Sequence, residues 1–285
     1  MKILVIGATG MVGHILFYEF RKKNINVIGI GRRKTEENII NLDLFTDWYQ
    51  IRCFLQCERF DIVVNCSAIL VNESNINRLQ AVYINSLFPH LLADLLINSD
   101  TKVIHLSTGG VFSGNEEFYL EDSPLLPQTY YGITKAAGEF NNGKDLIIRS
   151  DFWGPDTKKN GTGLFNWFLN QEGPVTAYTN VFFNGISNIE LARIILELIN
   201  YTGIVHIGTT EKISKCDFLD KIKNIFNLKN ITFINNENDY KNIFLKSCQI
   251  LPDINDFDTM IKEIYQYLIY NKENYAAIYP QVYGN

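Results

Sequence analysis

A glycine-rich turn between a short strand pattern and a helical pattern opens the chain, and it constrains the fold more than any other feature. Lys2–Ile6 is a β-branched run that ends at glycine, and Met11–Lys23 carries apolar residues at helical spacing. Glycines in such a turn let the backbone approach a pyrophosphate, which then faces the helix N-terminus. We therefore predict a dinucleotide site with the spacing GxxGxxG, formed by Gly7, Thr9, Gly10, Met11, Val12 and Gly13.

Strand and helix patterns continue to alternate after this unit. Helical patterns follow at Phe45–Cys57, Arg78–Asn98 and Thr129–Phe140. The predicted strands between them are Val27–Ile30, Asn38–Leu42, Asp61–Asn65, Lys102–Leu106 and Asp145–Ile148. This alternation is typical of the α/β class, and we predict a Rossmann-type, doubly wound parallel sheet.

The pattern changes after Arg149. We predict a dinucleotide-binding domain at residues 1–150 and a smaller C-terminal substrate-binding region at residues 151–285, with one strand and helix at about 186–208 returning to the sheet. Helical patterns in this region lie at Ile189–Asn200, Lys215–Phe226 and Phe257–Tyr270, and Ile204–Ile207 is a predicted strand. Tyrosines 275, 279 and 283 need a surface to pack on.

Composition excludes several classes of protein. Hydrophobic residues make up 46% of the 285 residues, yet no apolar run approaches the roughly 18 residues that would span a bilayer. The net charge of −5 argues against nucleic acid or an anionic membrane surface as the main partner. Five cysteines without paired short spacings indicate a reducing compartment, and no cysteine or histidine has the neighbours of a metal ligand. We expect a cytoplasmic protein without a metal site.

Two arginines follow the second predicted strand, where this architecture meets the adenosine ribose. An acid at that point favours the free 2′-hydroxyl of NAD, whereas arginine favours the 2′-phosphate of NADP. Arg32 and Arg33 stand there without an acid. NADP(H) is therefore favoured as the cofactor, and NAD(H) remains the alternative if these arginines are only solvated loop residues.

A tyrosine and a lysine share one helix face in Tyr131-Gly132-Ile133-Thr134-Lys135. Tyr18 and Lys22 repeat this spacing, so position must decide between the two pairs. Tyr131 follows Ser107-Thr108 in the chain, and these two residues come directly after a predicted strand. The carboxyl ends of parallel strands are where α/β sheets bind ligands, which favours the Tyr131 pair.

In these motifs the chain resembles the extended short-chain dehydrogenase/reductase family, and within it the dTDP-4-dehydrorhamnose reductase-like sugar-nucleotide reductases. The resemblance spans about residues 2–150 in family order. It rests on Gly7–Gly13, Asp61–Ala68, His105–Thr108, Val111–Gly114, Tyr131–Glu139 and Ile148–Ser150.

The resemblance implies roles for individual residues. Tyr131 is expected to donate a proton, Lys135 to lower the pKa of Tyr131 and hold the nicotinamide ribose, and Thr108 to polarise the substrate carbonyl. Weaker implications place Asp43 and Leu44 at the adenine, Cys66, Ser67 and Ala68 along the cofactor, and Asn85 in support of the site. The alternatives are a turn acid for Asp43, small packing residues for Cys66, Ser67 and Ala68, and a satisfied helical amide for Asn85.

Gly109-Gly110 departs from the family pattern. The 4,6-dehydratases carry Asp-Glu after the threonine, so the glycines argue against dehydration. The most similar reductases carry Asp-Tyr at these two positions, so the glycine pair leaves the exact sugar and its pose open. The candidate substrate contacts are Gly109, Gly110, Arg149, Phe152, Trp153 and Lys246. The aromatic residues among them could instead belong to the core, and Lys246 to the solvated surface.

The expected function is an NADPH-dependent reductase of the 4-keto group of a nucleotide-linked deoxysugar, with a dTDP, GDP or UDP carrier, in polysaccharide precursor synthesis. One alternative is a 4-epimerase that retains NAD. Another is a non-catalytic cofactor-binding subunit similar to the regulatory subunit of methionine adenosyltransferase. The tyrosine-rich tail is compatible with a homodimer.

Overall fold

The computed structural model describes residues 1–159, 161 and 163–284. Its strands are β1 (Lys2–Ile6), β2 (Asn26–Gly31), β3 (Ile39–Asn41), β4 (Ile62–Asn65), β5 (Lys102–Leu106), β6 (Leu146–Arg149), β7 (Gly173–Tyr178), β8 (Val181–Phe183), β9 (Gly203–His206), β10 (Ile213–Ser214), β11 (Ile231–Asn236) and β12 (Lys241–Ile243). Its α-helices are α1 (Gly13–Lys22), α2 (Trp48–Cys57), α3 (Val71–Ile76), α4 (Arg78–Ala81), α5 (Phe88–Leu96), α6 (Tyr130–Ala136), α7 (Leu164–Phe168), α8 (Asn188–Ile194), α9 (Lys215–Ile225), α10 (Phe257–Tyr270), α11 (Lys272–Tyr275) and α12 (Pro280–Tyr283).

Seven parallel strands form the central sheet in the order β3-β2-β1-β4-β5-β6-β9. The order reverses direction at β1, which lies between β2 and β4, so the sheet is doubly wound as predicted. Apolar clusters cover both faces, one beneath α1 and α8 and the other beneath α2 and α5. Because both faces are buried, the strand sequences read as nearly continuous apolar runs.

The helical pattern predicted at Arg78–Asn98 is one helix interrupted in its winding. α4 leads into a π-helical stretch, Val82–Leu87, which leads into α5. A π-helical turn holds an extra residue and redirects the side chains that follow, and it is common at functional positions. Here it contains Asn85, whose side chain points into the protein interior with no exposed surface.

Two small sheets in the second half of the chain were not predicted. One pairs β7 with β11 in parallel, and the other has the order β10-β8-β12. These strands are short and alternate between buried and exposed residues, so the sequence lacks the long apolar runs of the central sheet. Strand β9 lies beside β6 in the central sheet. In the described part of the chain, no helix has the length and apolar character needed to cross a membrane.

Candidate active site

The turn between β1 and α1 is wound so tightly that glycine is required at its end. A Cβ atom at position 13 would lie 2.2 Å from the carbonyl oxygen of Gly7, and Gly7 itself has a φ of +81°. The amide of Gly10 donates to the Gly7 carbonyl at 2.9 Å and closes the turn. The predicted glycine pattern therefore produces a backbone loop with no side chain over its centre at positions 7, 10 and 13.

The amino end of α1 lacks the side-chain cap that four longer or later helices have. Side chains of Thr129, Ser187, Ser214 and Asp256 cap α6, α8, α9 and α10. At α1 the N-cap residue is Val12, and none of the described side chains caps this end. The first amides of a helix carry partial positive charge and need acceptors, so this end fits the phosphates of a dinucleotide.

Arg32 and Arg33 follow β2 and are exposed, as a residue that meets an adenosine ribose phosphate should be. The guanidinium of Arg33 donates to the Thr157 hydroxyl at 3.1 Å, and that hydroxyl donates to the Thr9 carbonyl at 3.0 Å. The segment around Thr157 therefore closes over the glycine turn from the C-terminal half of the chain. Sequence reasoning did not single out this threonine, because nothing in its local sequence marks it.

Residues after β3 and β4 border the same end of the sheet. The Asp43 carboxylate accepts a hydrogen bond from the Phe45 amide at 2.8 Å, so it stabilises its own turn, and Leu44 packs in the core. Cys66, Ser67 and Ala68 directly follow β4, and both the amide and the hydroxyl of Ser67 donate to Asn65 Oδ1. Burial raises the pKa of the Cys66 thiol, so this side chain stays protonated.

Asn85 supports the site from behind. Its Oδ1 accepts from the Ile69 amide at 2.8 Å, and its Nδ2 donates to the Ile69 carbonyl at 2.9 Å and to Thr134 Oγ1 at 3.0 Å. These bonds satisfy its amide and leave no group for a cofactor contact. Asn85 therefore joins the segment after β4 to helix α6, which carries Tyr131 and Lys135.

Helix α6 approaches the segment after β5 more closely than a side chain would allow. A Cβ atom at Gly132 would lie 2.3 Å from the Gly110 carbonyl oxygen. This contact brings Tyr131 to the same place as Thr108, since a Cβ atom at Gly110 would lie 3.3 Å from Thr108 Oγ1 and 3.8 Å from a ring carbon of Tyr131. The structure therefore brings Thr108, Tyr131 and Lys135 together at the carboxyl end of β5.

The ammonium group of Lys135 lies in the interior beneath Tyr131. Lys135 Nζ donates to the Leu106 carbonyl at 2.6 Å and lies 3.2 Å from His105 Nε2. Burial lowers the pKa of Lys135 to about 8, although the charge of Glu139 and the Cys66 side chain oppose the change. His105 was not predicted as a site residue, and nothing in its sequence position separates it from a core histidine.

The proton positions around His105 follow from its neighbours. Asn65 Oδ1 accepts from the Ser67 amide, so Asn65 Nδ2 faces His105 Nδ1 at 3.1 Å and donates to it. His105 is fully buried, and this burial and the charge of Lys135 place its pKa well below 6.5, so the ring is neutral. The single ring proton then sits on Nε2 and points at Lys135. Above about pH 8, where Lys135 loses its charge, its amine nitrogen can accept a hydrogen bond from this N–H group.

The pKa of Tyr131 lies above its ordinary value. Burial is the larger cause, and the carboxylate of Asp151 is the second. The resemblance implied a Tyr131 pKa lowered by Lys135, but burial and Asp151 raise it, and the Lys135 ammonium is turned towards Leu106 and His105. A raised pKa keeps the phenol protonated, which is the form that a proton donor needs.

Two expected substrate contacts are occupied within the protein. Arg149 is 2% exposed and forms an ion pair with Glu139 at 2.7 Å. Trp153 is 3% exposed; its Nε1 donates to the Gly185 carbonyl, and its ring packs against Phe257 and Phe218. Both residues therefore hold the structure beneath the site, since neither side chain reaches a surface where a ligand could bind.

The other predicted substrate contacts lie nearer the surface. Phe152 is partly buried against the core, and Lys246 is exposed, with its ammonium 4.2 Å from the ring centre of Phe118. The Gly109 and Gly110 amides donate to Asp151 Oδ1 and Thr108 Oγ1. The glycine pair therefore lies directly at the side chains that would act on a carbonyl.

The C-terminal tyrosines pack on the glycine turn. His14 Nδ1 donates to the Gly10 carbonyl, and Tyr275 donates its hydroxyl proton to His14 Nε2, both at 2.8 Å. Burial lowers the pKa of His14 to about 4, so its ring is neutral and accepts this bond. Tyr279 donates to Asn166 Oδ1 at 2.6 Å and accepts from the Asp156 amide. The tail thus supports the turn and the segment that closes over it.

Comparisons with known proteins agree with this geometry. The profile described as RmlD substrate binding domain matches residues 1–241. A dTDP-4-dehydrorhamnose reductase from Streptomyces griseus is 35% identical over 138 residues, which cover 48% of this chain and 43% of the relative. The match therefore spans less than half of the length of that reductase.

Two further likenesses cover more of the chain. The methionine adenosyltransferase 2 subunit beta of Xenopus tropicalis is 25% identical over 249 residues, or 80% of this chain and 72% of the subunit. The crystal structure of the dTDP-4-dehydrorhamnose reductase from Bacillus anthracis in complex with NADP superposes with a TM-score of 0.77 at 20% identity, covering 93% of this chain and 99% of that one. This last likeness shows the same fold.

Proposed function

The chain belongs to the RmlD substrate binding domain family, and on that basis we propose that it is an NADPH-dependent reductase of a nucleotide-linked 4-keto-deoxysugar. One observation carries the proposal: Thr108, Tyr131 and Lys135 meet at the carboxyl end of β5, beside the uncapped amino end of α1. Fold alone would not support an activity, whereas these three side chains form a site suited to ketone reduction.

The residues around the dinucleotide site fit a phosphorylated cofactor. The open glycine turn and the α1 amides suit the pyrophosphate, and exposed Arg33 suits a 2′-phosphate. The similar reductase from Bacillus anthracis was solved with NADP, which supports this choice. When bound, the reduced cofactor supplies a hydride to the carbonyl carbon.

The chain itself supplies the proton and the orientation. Tyr131 is protonated at neutral pH and donates its proton to the carbonyl oxygen as the carbon accepts the hydride, so that the ketone becomes an alcohol. Lys135 lies one helical turn away, where its ammonium group can give a proton to the Tyr131 phenolate, leaving the neutral amine. Thr108 holds the oxygen side of the substrate against Tyr131.

A nucleotide sugar is the proposed substrate class because two of the named relatives are named as reductases of such a compound. The Streptomyces griseus relative is named for dTDP-4-dehydrorhamnose, which favours a dTDP carrier, with GDP and UDP as the alternatives to test. The product would be a precursor for polysaccharide synthesis.

A second candidate function is that of a non-catalytic cofactor-binding subunit. The observation that favours it is the match to the beta subunit of methionine adenosyltransferase 2, which covers 80% of this chain. A subunit of this kind would bind NADPH without consuming it. Intact Thr108, Tyr131 and Lys135 favour the reductase.

The test is NADPH consumption, with NADH in parallel, against 4-keto-6-deoxyhexoses linked to dTDP, GDP and UDP. We expect turnover by the wild-type chain and a loss of at least about 100-fold in kcat for Tyr131→Phe, since proton transfer contributes roughly 10² to 10⁴ in rate. Tyr18→Phe is the matched control, because Tyr18 shares the spacing to a lysine but lies on α1. A thermal shift with NADPH and no turnover of any sugar would favour the subunit instead.

A further inference from the structure

Asp151 lies at the centre of the candidate site, although no sequence motif marked it. Its Oδ1 accepts from Thr108 Oγ1 at 3.0 Å and from the Gly109 amide at 3.1 Å. Its charge also contributes to the raised pKa of Tyr131. A carboxylate therefore stands within one hydrogen bond of the threonine expected to meet the substrate ketone.

This carboxylate occupies the space that a side chain at position 109 would need. A Cβ atom at Gly109 would lie 3.1 Å and 3.2 Å from the two oxygens of Asp151, and 2.4 Å from Ile243 Cγ2. Asp151 reaches this place from the segment after β6, and Gly109 leaves room for its carboxylate.

One oxygen of Asp151 is available to a ligand. Oδ1 holds both protein donors, and Oδ2 accepts no hydrogen bond from any residue the structure describes. Lys215 lies at the start of α9. Burial lowers the pKa of Lys215, and the nearby charge of Asp151 acts in the opposite direction. The two side chains form no ion pair within 4.0 Å. Asp151 thus keeps an oxygen with acceptor capacity, with the Lys215 side chain nearby.

Resting on the proposed function, we propose that Asp151 recognises a hydroxyl group on the sugar carbon next to the 4-keto group. A ketone oxygen that reaches Thr108 places the neighbouring ring substituent at Asp151, because the two protein groups are hydrogen-bonded to each other. A substrate hydroxyl there donates to the free Oδ2 of the carboxylate. The Thr108 hydroxyl can then exchange its bond to Oδ1 for one to the ketone oxygen.

This exchange ties specificity to the reaction itself. A sugar with no donor beside the ketone leaves Thr108 donating to Asp151, so its carbonyl is less polarised and its turnover is slower. The substrate class is therefore 4-keto sugars that carry a free 3-hydroxyl, and discrimination is seen in kcat as well as in KM.

The experiment compares two probes, dTDP-4-keto-6-deoxyglucose and its 3-deoxy analogue, with the 2-deoxy analogue as a control for position. We expect the wild-type chain to prefer the 3-hydroxyl compound by at least about tenfold in kcat/KM, as a hydrogen bond to a charged acceptor provides. In Asp151→Asn the preference should fall to within about threefold. The amide oxygen can still accept from Thr108 and Gly109, but its NH₂ group cannot accept from the sugar.

Controls separate recognition from structural support. Glu117→Gln removes an exposed carboxylate and should keep the wild-type preference. A thermal shift with NADPH shows that each variant is folded. If Asp151→Asn retains the wild-type preference, or if wild type turns over both sugars equally, the assignment of Asp151 is overturned and the reductase stands. If wild type reduces no sugar, the proposed function fails together with it.

Discussion

Replacing Lys135 by methionine tests the burial of its amine through the stability of the cofactor-free protein. Methionine has a similar length and no charge, so it can occupy the channel that the lysine stem fills. The fully buried lysine has its pKa lowered from an ordinary 10.5 to about 8, chiefly by burial. At roughly 1.4 kcal/mol per pKa unit, this difference corresponds to about 3 kcal/mol.

The sign follows from proton counting. Below about pH 8 the lysine is charged in both the folded and the unfolded chain, and the full cost of burying the charge is present. Between about pH 8 and 10.5 the unfolded chain holds more protons, so the free energy of unfolding rises with pH. Relative to Lys135→Met, the wild-type protein should therefore gain about 3 kcal/mol across this window.

Urea unfolding at several pH values from 7 to 11, without cofactor, measures the difference between the two proteins. Buried tyrosines also titrate in this range, but they are present in both chains and cancel. The lost bond to the Leu106 carbonyl lowers the stability of the variant by an amount that does not vary with pH. Parallel stability curves for the two proteins would refute the burial argument.

Three further changes test separate contacts. Arg149→Met leaves the Glu139 carboxylate buried without its partner and should lower the free energy of unfolding in urea by about 3–5 kcal/mol. Adding Glu139→Gln should recover part of this loss. A loss below about 1 kcal/mol would contradict the ion pair. Gly109→Ala pushes a methyl group against Ile243 and should lower the free energy of unfolding by about 1–3 kcal/mol. Adding Ile243→Ala should reduce this loss, and an equal loss in the double variant would contradict the contact with Ile243. Arg33→Ala should raise the KM for NADPH about tenfold and leave that for NADH unchanged, whereas equal changes would exclude a 2′-phosphate contact.

The central sheet could be predicted because its physical cause is local. Strands buried on both faces are apolar along nearly their whole length, and residues 3–6 and 62–64 show this directly in the sequence. The predicted doubly wound order is confirmed by the pairing of β1 with both β2 and β4. The two small sheets were missed because β7 and β11 bury only alternate residues and pair across more than fifty positions of the chain.

The candidate site was predictable where its residues share one element. Tyr131 and Lys135 lie one turn apart on α6, so their spacing reveals their common face. Asp151 reaches the site through Thr108, which is 43 positions away in the chain. His105 reaches it through Lys135, which is 30 positions away. No local sequence pattern encodes contacts over such separations. Arg149 was predicted to contact the substrate. An arginine at the end of a buried strand needs a carboxylate partner, and this rule would have predicted an ion pair within the protein instead.

The bond between Tyr275 and His14 has a consequence for how the protein is made. The two residues are 261 positions apart, and a ribosome adds His14 long before it adds Tyr275. Until the later segment emerges, the histidine beneath Gly10 has an unpaired ring nitrogen and the glycine turn has no cover. A nascent or stalled chain can therefore close the turn through the bond between Gly10 and Gly7, but the turn proposed to hold the cofactor stays uncovered by the tail until Tyr275 has been added.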